Sequence, residues 1–183
     1  PAEFDLTDVV KQHGSNELVA VVIKWSDSCF VEDQDMWWLS GLPREVFLYA
    51  TPERYIADVF AKPVLNETCD QAELEVLVDI GGLDEAEETT IKLEVQLYDQ
   101  QGRKVLGRPE IRKITNRHFA WNYLRNKACL RIPIPQKRLQ LWSAEIPYLY
   151  KLRLSLKGNA EICHTVVPVG FRRVEVRDRN LLI

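Results

Sequence analysis

The residues best suited to chemistry lie close together near the start of the chain. Trp25-Ser26-Asp27-Ser28 is followed by Glu32-Asp33-Gln34-Asp35-Met36-Trp37-Trp38, which puts Asp27, Glu32, Asp33 and Asp35 within nine residues and three tryptophans beside them. Hard oxygen donors in a short loop suit a cation such as Na⁺, Ca²⁺ or Mg²⁺. A carboxylate beside an aromatic face also suits a sugar, whose hydroxyls need acceptors and whose C–H face needs an apolar platform. A carboxylate pair could act as general acid and base. The same residues would equally serve as a polar loop capping a sheet, its tryptophans anchored in a core. Spacing alone leaves these readings open.

Elsewhere the chemistry is sparse. His13, His118 and His164 are isolated and lack ligand spacing. No nucleophile elbow and no phosphate-binding loop occurs. Cys29, Cys69, Cys129 and Cys163 are too far apart for a zinc knuckle or a Cys-x-x-Cys redox pair. They are expected to be reduced thiols behaving as small hydrophobes. Asn66-Glu67-Thr68 is a glycosylation triplet, of a kind that often arises by chance.

The elements that must carry these residues are strands. Ala72 to Val76, Ile91 to Leu97 and Tyr150 to Leu156 alternate apolar and polar, as in a sheet with one buried face. Leu130, Ile132 and Ile134 line one side of another run, whose Pro133 and Pro135 point to a sheet edge. Val174 and Val176 close the series. Gly81-Gly82 separates two strands, and Asp99 to Gly102 and Lys157 to Asn159 read as hairpin turns. No dozen residues show helical periodicity with caps. Short strands with regular turns predict an all-β fold, an immunoglobulin-like sandwich over residues 52–177.

Residues 1–51 differ. Leu18 to Trp25 and Phe47 to Tyr49 are apolar on both faces and read as two strands wanting burial on both sides. Two strands cannot make a stable sheet alone. With Pro1 opening the chain and Leu181-Leu182-Ile183 closing it, both ends are expected to be cuts through a longer protein. Gly107 to Lys127 does not alternate. It is basic and aromatic, and reads as a long surface loop or an arm reaching a partner.

A hydrophobic fraction of 46 % suits a globular core. The net charge of −3 comes without any basic run, which argues against nucleic-acid and anionic-membrane partners. No apolar stretch approaches the roughly 20 residues that span a bilayer.

Four runs resemble glycoside hydrolase family 2, in that family's order. Glu32 to Gly41 resembles the acidic signature of its large β-galactosidases, and Arg44-Glu45-Val46 continues it. Phe4 to Thr7 with Asn16 to Val21 resembles the closing strands of the family's sugar-binding jelly roll. Leu141 to Tyr150 and Val169 to Arg172 resemble two later motifs. Ser28-Cys29 and Leu42-Pro43 depart from the usual residues, in loop positions. The resemblance implies the truncated C-terminal strands of a jelly roll over 1–51, an immunoglobulin-like domain over 52–177, and the start of a (β/α)₈ barrel over 178–183. That barrel would carry two catalytic glutamates hydrolysing terminal β-galactosides with retention, and a Mg²⁺ ion. No catalytic residue is then expected in this chain.

Asp35 is the one active-site residue the resemblance carries over. It implies that Asp35 contacts galactosyl hydroxyls and a Na⁺ ion, through charge-assisted bonds. Trp142, Glu145 and Pro147 would be structural, with a buried indole and a proline fixing the entry to a strand. The expected partners are the rest of the same chain, a galactoside and, positionally, a neighbouring subunit of a homo-oligomer met by the 107–127 segment. The cytoplasm is the default compartment. A free-standing immunoglobulin-like carbohydrate-binding or interaction module is the alternative from another class. A sibling hydrolase for β-glucuronides or β-mannosides is a third, which the Glu32 to Trp37 run disfavours.

Overall fold

The computed structural model describes residues 3–31, 39–83, 91–114 and 127–182. It divides into two compact units, Pro1–Tyr49 and Ala50–Ile183.

In the second unit the alternating runs become strands β1 (Tyr55–Leu65), β2 (Ala72–Gly81), β3 (Ile91–Tyr98), β4 (Glu110–Ile114), β5 (Lys127–Ile134), β6 (Tyr150–Lys157) and β7 (Glu161–Val169). Two antiparallel sheets result, ordered β1-β2-β5 and β4-β3-β6-β7. This is the immunoglobulin-like sandwich that the periodicity predicts. Leu74, Val76, Val78 and Ile80 of β2 meet Leu93, Val95 and Leu97 of β3 and Leu152, Leu154 and Leu156 of β6 in one buried core. Removing each such side chain from water contributes roughly 1.5–3 kcal/mol.

Central and edge positions follow the backbone's hydrogen-bonding needs. Pro63, Pro133 and Pro168 lie in β1, β5 and β7, all of them edge strands. A proline there costs no ladder bond between strands and discourages pairing with another chain.

Three expectations need correction. Part of the segment from Gly107 to Lys127 is strand: Glu110–Ile114 pairs with β3, and Ile114 is buried. Residues 115–126 lie outside the described residues. Val174 and Val176 do not belong to the sandwich sheets. Both are exposed, and β8 (Glu175–Arg177) pairs only with β9 (Asn180–Leu182) in a hairpin. Its two-residue turn, Asp178-Arg179, has positive φ at both positions, the geometry that matches the twist of paired strands.

The third correction concerns the first unit. Its only regular element among the described residues is a five-residue helix, α1 (Asp27–Val31). Leu18 to Trp25 and Phe47 to Tyr49 form no ladder there, and Leu18, Val19, Val21, Ile23, Phe47 and Leu48 are exposed. A segment apolar on both faces becomes a strand only when neighbours pair both of its edges and cover both of its faces.

Candidate functional site

Asp35, with Glu32, Asp33, Trp37 and Trp38, lies outside the described residues. The segment leading to it is ordered by local bonds. The Cys29 amide donates to the Ser26 carbonyl (3.0 Å) as α1 opens, and the Cys29 thiol donates to the Lys24 carbonyl (3.1 Å). The Ser26 and Ser28 hydroxyls are 2.8 Å apart, and the Lys24 ammonium sits 5.3 Å from the Trp25 ring centroid. Among the described residues no three His, Cys, Asp or Glu side chains converge as a metal site would require.

In the second unit the structure brings together two of the motifs found in sequence. Leu141 bridges Phe171 in parallel, and the Trp142 amide donates to the Phe171 carbonyl at 2.8 Å. Phe171 is fully buried and meets Tyr150 edge-on, ring centroids 5.2 Å apart, while Tyr150 meets Tyr148 at 4.9 Å. The Tyr150 hydroxyl donates to the Arg138 carbonyl (2.6 Å) and accepts from the Gln140 amide (2.7 Å). A tyrosine that opens a strand and bonds upstream backbone is the corner device of immunoglobulin-like sandwiches. Burial pushes its phenol above the usual range, and the Gln140 amide only partly offsets this.

Trp142 is half-buried rather than buried. The Arg172 guanidinium stacks 4.6 Å from its ring centroid and takes the face that a core residue would have covered. Gly170 lies close against the same indole, and a Cβ there would come within 3.1 Å of it.

A second polar node lies in the β3 turn. Asp99 is buried, yet its Oδ1 accepts the Gln101 and Arg103 amides (3.0 and 2.8 Å) and its Oδ2 accepts Arg103 Nε (2.7 Å). Burial raises the Asp99 pKa, but these bonds and the Arg103 charge outweigh it and hold the carboxyl below the usual range. On the outer face of β6 and β7, burial likewise raises Glu161. Its bonds to Arg153, Ser155 and His164 bring it down overall.

The thiols and the glycosylation triplet take structural roles. All four cysteines are free; Cys163 packs half-buried against the core as a small hydrophobe, Cys29 and Cys69 are half-buried, and Cys129 is exposed. The Asn66 side chain closes the β1–β2 turn: its oxygen accepts the Asp70 and Gln71 amides, and its amide donates to Thr68 and Asp70. A shallow depression of about 430 Å³ adjoins this turn.

Known proteins match this architecture. The profile "Glycosyl hydrolases family 2, sugar binding domain" covers residues 1–52, and "Glycosyl hydrolases family 2" covers residues 54–172. The chain belongs to glycosyl hydrolase family 2. Over 99 % of its length it is 36 % identical to a β-galactosidase of Vibrio vulnificus, and over all of it 38 % identical to one of Priestia megaterium. It spans 17 % of the length of each of these relatives. Solved structures share the fold. A family 2 member from Bacteroides cellulosilyticus superposes with a TM-score of 0.57 at 19 % identity, covering 68 % of this chain and 16 % of that one. A β-glucuronidase from Parabacteroides merdae gives 0.54 at 19 %, covering 69 % and 14 %. A putative β-galactosidase from Bacteroides fragilis gives 0.55 at 22 %, covering 69 % and 19 %, so structures named for different sugars share this fold and the fold alone does not choose the substrate.

Proposed function

We propose that this chain is the scaffold portion of a β-galactosidase that hydrolyses terminal non-reducing β-D-galactose residues with retention. One observation carries the reading: sequence identity of 36–38 % to β-galactosidases runs the whole length of the chain while covering only 17 % of theirs. Residues 1–51 correspond in this reading to the end of the sugar-binding domain and 52–177 to the immunoglobulin-like domain, with 178–183 leading into a barrel. The two glutamates that act as nucleophile and acid/base, and a Mg²⁺ ion, belong to that barrel, so this chain contributes no catalytic residue.

Asp35 is the residue of this chain we assign to the substrate side. A fixed carboxylate accepts charge-assisted bonds from galactosyl hydroxyls and neutralises a Na⁺ ion at the same time. The family resemblance implies that the remaining Na⁺ ligands lie in parts of the enzyme outside this chain, and Asp35 alone cannot replace a hydration shell. The complete enzyme acts in the cytoplasm as a homo-oligomer.

The 183-residue chain, incubated with a nitrophenyl β-D-galactoside, is expected to release no nitrophenol above the uncatalysed rate. Turnover abolished by Asp35→Asn would show instead that the reactive groups lie within this chain. In the full-length enzyme the same substitution should raise KM for the galactoside and weaken the dependence of rate on Na⁺.

A further inference from the structure

One end of the sandwich carries a shallow, open cleft of about 460 Å³, lined in part by Glu145 to Tyr148 of the Leu141 to Tyr150 motif. Two parts of the chain build its three walls: the turn after β3, and the connection from β5 to β6, which supplies both Gln140 after the 3₁₀ turn Gln136–Arg138 and the approach to β6. Gln100, Gln101 and Gln140 supply three primary amides, Tyr148, Ile146 and Pro147 supply apolar surface, and Glu145 supplies a carboxylate.

Each wall is held by polar bonds that exist before anything binds. Asp99 fixes the Gln100–Gln101 turn through the amides of Gln101 and Arg103. The Tyr150 hydroxyl fixes Gln140 through its amide, at 2.7 Å. Ser143 Oγ accepts the Ile146 amide (3.1 Å), and the Ile146 carbonyl accepts the Tyr148 amide (2.7 Å), which sets the third wall. The Tyr148 hydroxyl accepts the Gln100 amide at 3.4 Å and ties the third wall to the first. A ligand therefore has to order side chains but no backbone, which removes a large part of the usual cost of association.

The lining selects the ligand's chemistry. A primary amide offers donors and an acceptor in one plane, suited to adjacent hydroxyls. Tyrosine with aliphatic neighbours suits a ring whose C–H face is apolar. The nearby cation is engaged, since Arg103 Nε bonds Asp99 and Arg103 Nη2 bonds Gln101 Oε1 (3.1 Å). This leaves the Gln101 –NH₂ group as donor and Glu145 as the charge facing the cleft, which repels anions. We propose that this cleft binds a neutral saccharide, with Gln101 and Gln140 contacting vicinal hydroxyls and Tyr148 supporting the ring. Affinity is in the millimolar range, because the cleft is open and long side chains must be immobilised.

The proposal rests on the cleft's own residues and not on the catalytic reading. Amide NMR spectra of the 183-residue chain, titrated with lactose and separately with galacturonate, test it. Lactose should produce saturable shifts at the amides of Gln101, Gln140 and Tyr148, and galacturonate should not. The double substitution of Gln101→Ala and Gln140→Ala, with spectral dispersion unchanged, should weaken lactose binding about tenfold. No shifts with lactose, equal shifts with galacturonate, shifts confined to residues 1–49, or undiminished binding by the double variant would each overturn it. Shifts confined to residues 1–49 would still leave the Asp35 assignment standing.

Discussion

The Trp142 amide donates to the Phe171 carbonyl across 2.8 Å, joining two segments nearly thirty residues apart. Around this bond the aromatic series Tyr148, Tyr150 and Phe171 packs edge to face, and the Tyr150 hydroxyl reaches back to Arg138 and Gln140. The two sequence motifs that meet here hold the segments after β5 and β7 against the start of β6. Packing and one satisfied hydroxyl explain the aromatic residues that meet here.

Substitution at this node should therefore be read as stability. Tyr150→Phe keeps the rings but leaves the Arg138 carbonyl and the Gln140 amide without a protein partner. The expected loss is about 1–3 kcal/mol in urea unfolding. Phe171→Ala removes a fully buried ring and should cost about 3–5 kcal/mol. A Tyr150→Phe midpoint equal to wild type would mean that the hydroxyl bonds contribute nothing net.

Gly82 and Gly102 separate strain from collision. Both have positive φ, +72° and +77°, so alanine at either position meets a conformational penalty of about 1 kcal/mol. A Cβ on Gly102 would enter open space, whereas one on Gly82 would collide with the Glu53 carbonyl oxygen. Gly102→Ala should remain folded with a modestly lowered Tm. Gly82→Ala should be expelled to the insoluble fraction or melt far lower, because the backbone itself has to move. Equal Tm values for the two variants would contradict the close crossing of residues 53–55 over Gly81 and Gly82.

Asp99 should make stability depend on acid in a defined direction. Its carboxyl sits below the usual range in the folded state, although burial alone would raise it. A depressed folded pKa contributes stability above the unfolded value near 4 and loses it as pH falls through the lower folded value. Asp70, Glu145 and Glu161 are depressed too and add to the same trend, so the test is a comparison. Asp99→Asn should be less stable than wild type at neutral pH, and the gap should narrow below about pH 4. A gap unchanged from pH 7 to pH 3 would count against this account.

How far the sequence could be read depended on where each strand sits. β2, β3 and β6 are central and bury one face along their whole length, so apolar residues recur at every second position, although Leu77 and the buried Gln96 and Ser155 sit on the opposite face. β1, β4 and β7 are edges. Phe60 points outward and is exposed, β4 buries only Ile114, and β7 places Val166 on its solvent side, so no clean period-two pattern survives. Asp35 emerged from a local run of residues and a family resemblance. The Gln101–Gln140–Tyr148 cleft could not be seen that way, because its walls come together only after the sandwich has folded. Trp142 shows the limit of motif reading, since its half-burial depends on an arginine thirty residues later.

The first unit makes the last prediction. Val21 and Ile23 are 83 % and 70 % exposed, and Leu18, Val19, Phe47 and Leu48 are similarly open to solvent. Apolar, β-branched segments with unpaired backbone pair readily with copies of themselves, and contiguous exposed apolar surface drives association. Static light scattering of the 183-residue chain should show a weight-average mass that rises with concentration. The double substitution of Val21→Lys and Ile23→Lys should suppress this rise while leaving the sandwich Tm unchanged, because neither residue contributes to the second unit's core. A concentration-independent monomer mass would show that the apolar segments of residues 1–49 are already satisfied within one chain. Suppression by substitutions on the sandwich surface, such as Phe60→Lys, would instead locate the contact on the outer face of β1.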